Sequence, residues 1–435
     1  MAFPLRGIHV PHRKHTANQT AVSMPAPATV LLPMLMHIGK PATPVVKVGD
    51  HVDVGTLIGE QNGFVSSPIY SSVSGTVKKI VDHILHDGSR VPAVLIESDG
   101  AMTVDASIAP PVVQDKASFI EAVKQSGIVG LGGAGFPTYV KFTTDKPVDT
   151  LVLNGAECEP YITSDSLTMV EQAENILLAI ETVDKYMNFD RVIIGIEKNK
   201  PEAIAKMKEL ATKNNKIQVK VLPSIYPQGG EKVLVYHTVG KEIKVGQLPA
   251  DQGCIVCNTS TMAAIGRYLK TGMPLVERLV TVDGACVKEP KNVLVPVGTS
   301  LKDLFAFCGE FTEAPEKVLY GGPMMGITVP DLEAPVLKHT NAILALTSKE
   351  AKTPKTSSCI RCGACVNHCP FGINPPAIAK GVRIGDMEMV KKAGAAACME
   401  CGCCEFSCPA NRPLVQNNKL AKVALREYEA KEANA

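Results

Sequence analysis

Short runs of β-branched residues, separated by Gly, Asp and Pro, fill the first hundred positions, and the pattern then changes twice along the chain. Residues 45–52, 56–58, 75–77 and 94–96 predict strands bounded by turns. From about 115 to 275, strand-like and helix-like periods alternate. Helix is predicted over 118–125, strand over 148–154, and helix over 166–186 with Ser164 or Asp165 as cap. Strand follows at 191–197, a helix opening with Pro201 at 201–212, and strand at 216–222. That order implies βαβ units and a largely parallel sheet. Over 276–330, strands at 280–282, 293–295 and 317–320 flank a short helix at 300–307, where Ser300 and Asp303 approximate a capping box. The polar stretch 347–358, interrupted by Pro354, reads as a linker, and a charged helix is predicted from about 413 to 430.

Length and charge narrow the classes open to such a chain. Its 435 residues suffice for about two to four domains, each burying its own core. A net charge of +2 supplies no field for nucleic acid, so none is expected as a partner. The apolar stretch 30–37 is broken by Pro33 and His37 and lies too deep for a signal peptide. No uninterrupted apolar run reaches the roughly 18 residues of a membrane span. Any membrane attachment is expected through partner subunits, with the chain peripheral on the cytoplasmic side.

Cysteine usage changes the picture. Of fourteen cysteines, eight fall in two copies of C-x2-C-x2-C-x3-C-P: Cys359, Cys362, Cys365 and Cys369 before Pro370, then Cys398, Cys401, Cys404 and Cys408 before Pro409. This is the bacterial two-cluster run, in which three closely spaced thiolates wrap one face of a cubane and the fourth reaches the neighbouring cubane. The expected ligands of one 4Fe–4S cluster are Cys359, Cys362, Cys365 and Cys408; those of the other are Cys398, Cys401, Cys404 and Cys369. Zinc needs a distant second pair rather than a run of four ending in proline, and such thiolates require a reducing compartment. Cys403 is expected to be a spare thiol, and Cys158, Cys254, Cys257, Cys286 and Cys308 core residues. His9, His12 and His15 read as part of a basic arm rather than a metal site.

A second signal is the loop Gly130-Leu-Gly132-Gly133-Ala-Gly135-Phe136-Pro137. It matches G-x-G-x-x-G, but a helix precedes it and Phe136-Pro137 interrupts the helix start that a dinucleotide fingerprint requires. Glycine still lets a flat cofactor approach the backbone. With Lys141 and Asn154-Gly-Ala-Glu157-Cys158-Glu159-Pro160 behind it, the loop resembles the flavin-binding subunit of respiratory complex I. Tyr226-Pro-Gln-Gly229-Gly230-Glu231 is similar to that family's Gly-Glu-Glu segment, with Gly230 replacing one glutamate. Asn258-Thr-Ser-Thr261 is similar to its Asn-Val-Glu-Thr segment, and the turn 321–326 to the glycine turn after its β-grasp. Residues 49–75 resemble biotinyl and lipoyl barrel-sandwich domains, but the hairpin tip 66–72 carries no lysine, so it is expected to be structural or to dock.

The whole order resembles the RnfC family of the Rnf (Rsx) ion-translocating electron-transport complexes, a multidomain α/β and β architecture. It comprises an N-terminal barrel-sandwich hybrid (1–105), a complex-I-like flavin α/β domain (115–275) and a β-grasp, SLBB-like module (276–330). The linker (347–358), a two-cluster 4Fe–4S ferredoxin domain (359–412) and a C-terminal helix (413–435) complete it.

That resemblance implies non-covalent FMN on the loop of Gly130, Gly132, Gly133 and Gly135, with Lys141 and Asn154 on the flavin or its ribityl phosphate. Glu157 and Glu159 line the pocket, Phe136 stacks on NADH, and Asn258 and Thr261 contact flavin or phosphate. Glu231, near the nicotinamide, and Glu159 are the implied catalytic acids. The implied activity is reversible NADH:ferredoxin oxidoreduction. Electrons pass from NADH through FMN and both clusters to an iron–sulfur partner among the membrane subunits, with ferredoxin reached through the complex and ion transport coupled elsewhere. Two alternatives are a soluble reductase of the cobalamin-reductase type and an electron-wire adaptor with an empty flavin pocket. The N-terminal barrel sandwich argues against the first and the intact glycine loop against the second.

Overall fold

Alternating apolar positions in the first hundred residues close two small antiparallel sheets over one core. The computed structural model describes residues 6–85 and 88–433. One sheet orders Thr29–Pro33, Arg90–Ser98, Gly75–Ile84 and His51–Val52; the other orders Thr43–Pro44, Leu57–Glu60 and Ile69–Tyr70. Val30, Leu32, Met34, Ile58, Ile69, Val77 and Ile96 fill the space between. The apolar stretch 30–37 is therefore core strand and its continuation. The tip 66–72 packs against the chain itself: Ser67 Oγ donates to Gly127 O at 3.1 Å. A lysine does reach this tip, but from elsewhere in the chain. Lys338 Nζ, fully buried, donates to Ser67 Oγ at 3.2 Å and Gly127 O at 2.8 Å.

The flavin-domain segment forms a four-stranded, all-parallel sheet in the order Ile217–Leu222, Arg191–Glu197, Thr150–Gly155, Cys254–Asn258. The single helix expected over 166–186 is two, Ser164–Glu171 and Ala173–Met187, divided at Gln172 (φ −117°, ψ 27°). Thr163, not Ser164 or Asp165, precedes the first. Asp165 is unavailable as a cap because its carboxylate accepts from Asn258 Nδ2 and Ser260 Oγ, at 2.7 and 2.6 Å. Cys254 and Cys257 are buried strand residues.

The next sheet extends beyond the expected 276–330. Its six strands run Val22–Ser23, Lys291–Pro296, Glu277–Asp283, Ala342–Leu346, Lys317–Tyr320, Ile327–Thr328. An interior strand thus comes from 342–346 and an edge strand from the N-terminal arm, both paired in parallel with distant segments. Local patterning carries no signal for such long-range pairs. The helix Leu301–Phe307 starts as predicted, Ser300 Oγ accepting from Asp303 N at 3.0 Å.

The two cysteine runs fold alike. Each opens with a left-handed non-glycine residue, Arg361 (φ 57°) or Glu400 (φ 62°). A left-handed glycine follows, then one short helix, Ala364–Asn367 or Cys403–Phe406. Helices Pro375–Ile384, Met387–Lys392 and Leu414–Ala433 pack beside them on Ile378, Val390, Ala421 and Leu425. Among the described residues, no helix is long and apolar enough to cross a membrane.

Candidate functional site

The glycine loop sits at the carboxyl ends of the parallel strands, where open α/β sheets hold ligands. It is closed by Gly130 N donating to Phe136 O (2.8 Å) and Gly135 N to Gly130 O (3.1 Å). It is held from behind by Leu131, whose N–H donates to Thr261 Oγ1 (2.9 Å) and whose carbonyl accepts from Arg278 Nη2 (3.1 Å). Gly132 and Gly133 remain exposed at the tip. A Cβ at Gly132 would stand 3.1 Å from Asn258 Nδ2, whereas one at Gly133 (φ 109°) would meet no protein atom within 4 Å. Asn154 and Asn258 are register partners at the two strand ends. Asn258 also caps helix Thr259–Thr271, its Oδ1 accepting from Thr261 N at 3.1 Å. Asn154 Nδ2 donates to Gly229 O at 2.9 Å. Lys141 Nζ donates to Val256 O at 2.7 Å and lies 3.4 Å from Glu231 Oε1, and Phe136 is half-buried.

The acid segment divides its labour. Glu157, at φ 49°, accepts from Asp165 N through Oε1 at 2.6 Å, while its Oε2 is buried without a protein partner. Burial raises its carboxyl pKa, an effect partly offset by Lys14. Lys14 comes from the N-terminal arm and donates to the carbonyls of Glu157 (3.1 Å), Glu159 (2.9 Å) and Ile162. Glu159, implied as a catalytic acid, is engaged by the backbone in this structure. Both its oxygens are taken by backbone amides, Met324 N at 3.0 Å and Met325 N at 2.9 Å, and a Cβ at Gly322 would lie 2.2 Å from Oε2. It is a half-buried clasp between the flavin domain and the turn 321–326.

A backbone-lined loop open at Gly133, a capped helix start and an orphaned carboxylate oxygen fit a flat cofactor that carries phosphate. Of the residues predicted for it, the structure brings together Gly132, Asn258 and Thr261 with the loop, and Lys141 with Glu231. Three neighbours escaped sequence reading: Lys14, Asp165 and Arg278. Arg278 had a readable signal, a cation in phase with Val280 and Val282 on a strand buried on both faces.

The cysteines gather into two cavities. One is lined by Cys359, Cys362, Cys365 and Cys408; the other by Cys398, Cys401, Cys404 and Cys369, with Cys403 beside them. Each cavity thus takes three thiols from one run and the last thiol of the other. All fourteen cysteines are free. Among the described residues no three potential ligands converge tightly enough for a single metal ion. The thiols instead surround a volume, the arrangement a four-iron cubane needs. His12 and His15 are spent separately, on Asn199 and on Asp283.

The two sites share a wall. Ile8, Val10, Tyr226, Cys401 and Cys403 form one buried cluster, with Cys158, Met324 and Met399 packed against it. Tyr226 Oη donates to Cys401 O at 2.7 Å. Cys158 Sγ accepts from Gly229 N at 3.3 Å, next to Asn154. Gly230, the position lacking the family glutamate, leaves room for Met399, whose Cε would be 2.4 Å from a Cβ there.

Comparison with known proteins agrees with this layout. Consecutive segments match the RnfC barrel sandwich hybrid domain (3–101), the Nuo51 FMN-binding domain (123–267), the SLBB domain (279–328) and a 4Fe-4S dicluster domain (358–412). A component of the Na(+)-translocating ferredoxin:NAD(+) oxidoreductase complex of Acetobacterium woodii is 42% identical, across 96% of this chain and 95% of its own length. Its counterpart in the proton-translocating complex of Clostridium ljungdahlii is also 42% identical, over 83% and 80% of the two chains. A component of the ion-translocating oxidoreductase complex of Rhodobacter capsulatus is 40% identical over 99% and 85%. With these identities over nearly the full chain and the four domains in this order, the protein belongs to the RnfC family, a component of the ion-translocating ferredoxin:NAD(+) oxidoreductase complexes.

Proposed function

We propose that this chain oxidises NADH and passes the electrons, through two cysteine-bound clusters, to an iron–sulfur partner within a membrane-bound ion-translocating NADH:ferredoxin oxidoreductase. The observation that carries this reading is the shared wall at Tyr226, where the flavin cleft and the second cysteine cavity abut. When bound, FMN accepts the hydride pair and the 4Fe–4S clusters carry electrons singly.

The chain's own residues position these groups. The backbone at Gly130, Gly132, Gly133 and Gly135 gives close approach to a flat ring, and the Asn258-capped helix start directs amides at a phosphate. Lys141 and Asn154 hold the polar edge, and Phe136 faces the nicotinamide nucleotide. Glu231, partly exposed and tied to Lys141, is the acid nearest the nicotinamide. Glu157 is kept in place by Asp165 and Lys14. Cys398, Cys401, Cys404 and Cys369 bind the inner cluster, on the flavin side. Cys359, Cys362, Cys365 and Cys408 bind the exit cluster, on a face where Cys359 and Cys362 are exposed. Attachment runs through other subunits, on the cytoplasmic side where NADH is available, and ferredoxin is reached through the complex.

The test is anaerobic: reconstitute the purified chain with FMN and iron–sulfide, then titrate with NADH. Flavin bleaching followed by reduced-cluster EPR signals is the expected result. A flavin that stays oxidised defeats this reading and leaves an electron-wire adaptor.

A further inference from the structure

Both charged residues that line the first-run cavity are cations. Arg361 and Arg412 line its mouth beside Cys359 and Cys408, and Ile360 between the thiols is 68% exposed. Lys355 is brought to the same rim by the linker, which is laced to the loop after Cys408. Ser357 N donates to Ala410 O (3.0 Å), Asn411 Nδ2 to Lys355 O (3.4 Å) and Arg412 Nη1 to Ser357 O (3.4 Å). No acidic residue occurs in 351–363 or 406–414. Among the described residues, none of these three cations has an ion-pair partner.

The equivalent place in the other run is treated differently. Glu400 occupies the position of Arg361 with the same left-handed backbone, and it pairs with Lys422 at 2.5 Å and lies 4.0 Å from Lys419. The inner copy of the repeat is therefore charge-compensated, and the outer copy is left positive around an apolar centre. An apolar core inside a charged rim is the anatomy of a protein interface, and one-signed rims raise encounter rates about 10- to 1,000-fold.

We propose that Lys355, Arg361 and Arg412 form the docking surface for an acidic iron–sulfur protein that takes electrons from the exit cluster. The proposal rests on the electron path above. The exchange is a single electron, lost by the cluster on this chain and gained by the partner's cluster, with no bond made or broken. Anionic lipid would answer the same charges but cannot accept an electron from the exposed thiol set, so a protein is the favoured occupant.

The test compares wild type with K355E/R361E/R412E, in the assembled membrane complex and as the isolated chain. Glutamate at 361 is compatible with the backbone, as Glu400 demonstrates. Transfer from NADH to ferredoxin through the variant complex is expected to fall at least about tenfold, and the variant chain to dissociate from the complex at lower salt. In the isolated variant, NADH still reduces both clusters. Unchanged transfer and unchanged salt resistance overturn the proposal. So does intact transfer accompanied only by lost binding to phosphatidylglycerol vesicles, which would assign the rim to lipid. If iron analysis shows fewer clusters in the triple variant, K355Q/R361Q/R412Q decides instead: a wild-type salt dependence of transfer overturns the docking surface. Failure of the electron path itself is distinguishable, because wild-type clusters would then stay oxidised under NADH, and the docking proposal falls with it.

Discussion

Gly133 shows how much one residue can be asked to do. Its φ of 109° lies where a side chain is strained, yet the space around it is free of protein atoms. Gly133→Leu should therefore cost only about 1–2 kcal/mol of backbone strain while filling the volume assigned to the flavin. FMN bound per chain should drop to near zero after reconstitution, with both cluster EPR signals intact. Stoichiometric FMN in that variant would remove the loop from the site. The glycines, Lys141 and Asn258 could be named through the resemblance of their segments to the complex-I flavin subunit, which local sequence carries. Lys14 could not, since a separation of 143 positions from Glu157 carries no hint that the N-terminal arm returns beneath the acid segment.

Among the elements, the repeated cysteine run is the most explicit. Cys369 belongs in sequence to the first run but lines the cavity of the second. Cys369→Ser should abolish the same EPR signal as Cys398→Ser, while Cys362→Ser abolishes the other. Loss of the Cys362-dependent signal in Cys369→Ser would contradict the exchanged ligation. The docked tip 66–72 gives a second, independent test. Burial holds Lys338 down at about 7, from its usual 10.5. Between those values the unfolded chain keeps a proton that the folded chain has shed, so stability rises with pH from about 7 to 10 and this contribution is flat below 7. Lys338→Met should remove that slope. It should also lower stability at pH 10 by about 1–3 kcal/mol, because Ser67 and Gly127 lose a donor. Melting temperatures at pH 7 and pH 10 measure both effects.

Across the whole molecule, function depends on the junction where arm, flavin domain, β-grasp sheet and cluster domain meet. Tyr226→Phe keeps the buried ring and deletes its hydrogen bond to Cys401 O. The expected cost is about 1 kcal/mol, with FMN and clusters retained, slower cluster reduction after NADH mixing, and faster proteolysis within 347–358. Cluster reduction at the wild-type rate would show that this bond does not set the junction. By itself, the sequence determined the domain order, the parallel sheet, the glycine loop and the cluster run. Each of these is written in local periodicity or in fixed short spacing, which survive without knowledge of contacts. Only the tertiary structure decided that Glu159 is a clasp, that residues 22–23 and 342–346 complete the β-grasp sheet, and that Lys338 fills the tip. It also decided which cysteine cavity abuts the flavin cleft. Those outcomes depend on which distant surfaces exclude water together, and burial of that kind is a property of the folded whole rather than of any window of residues.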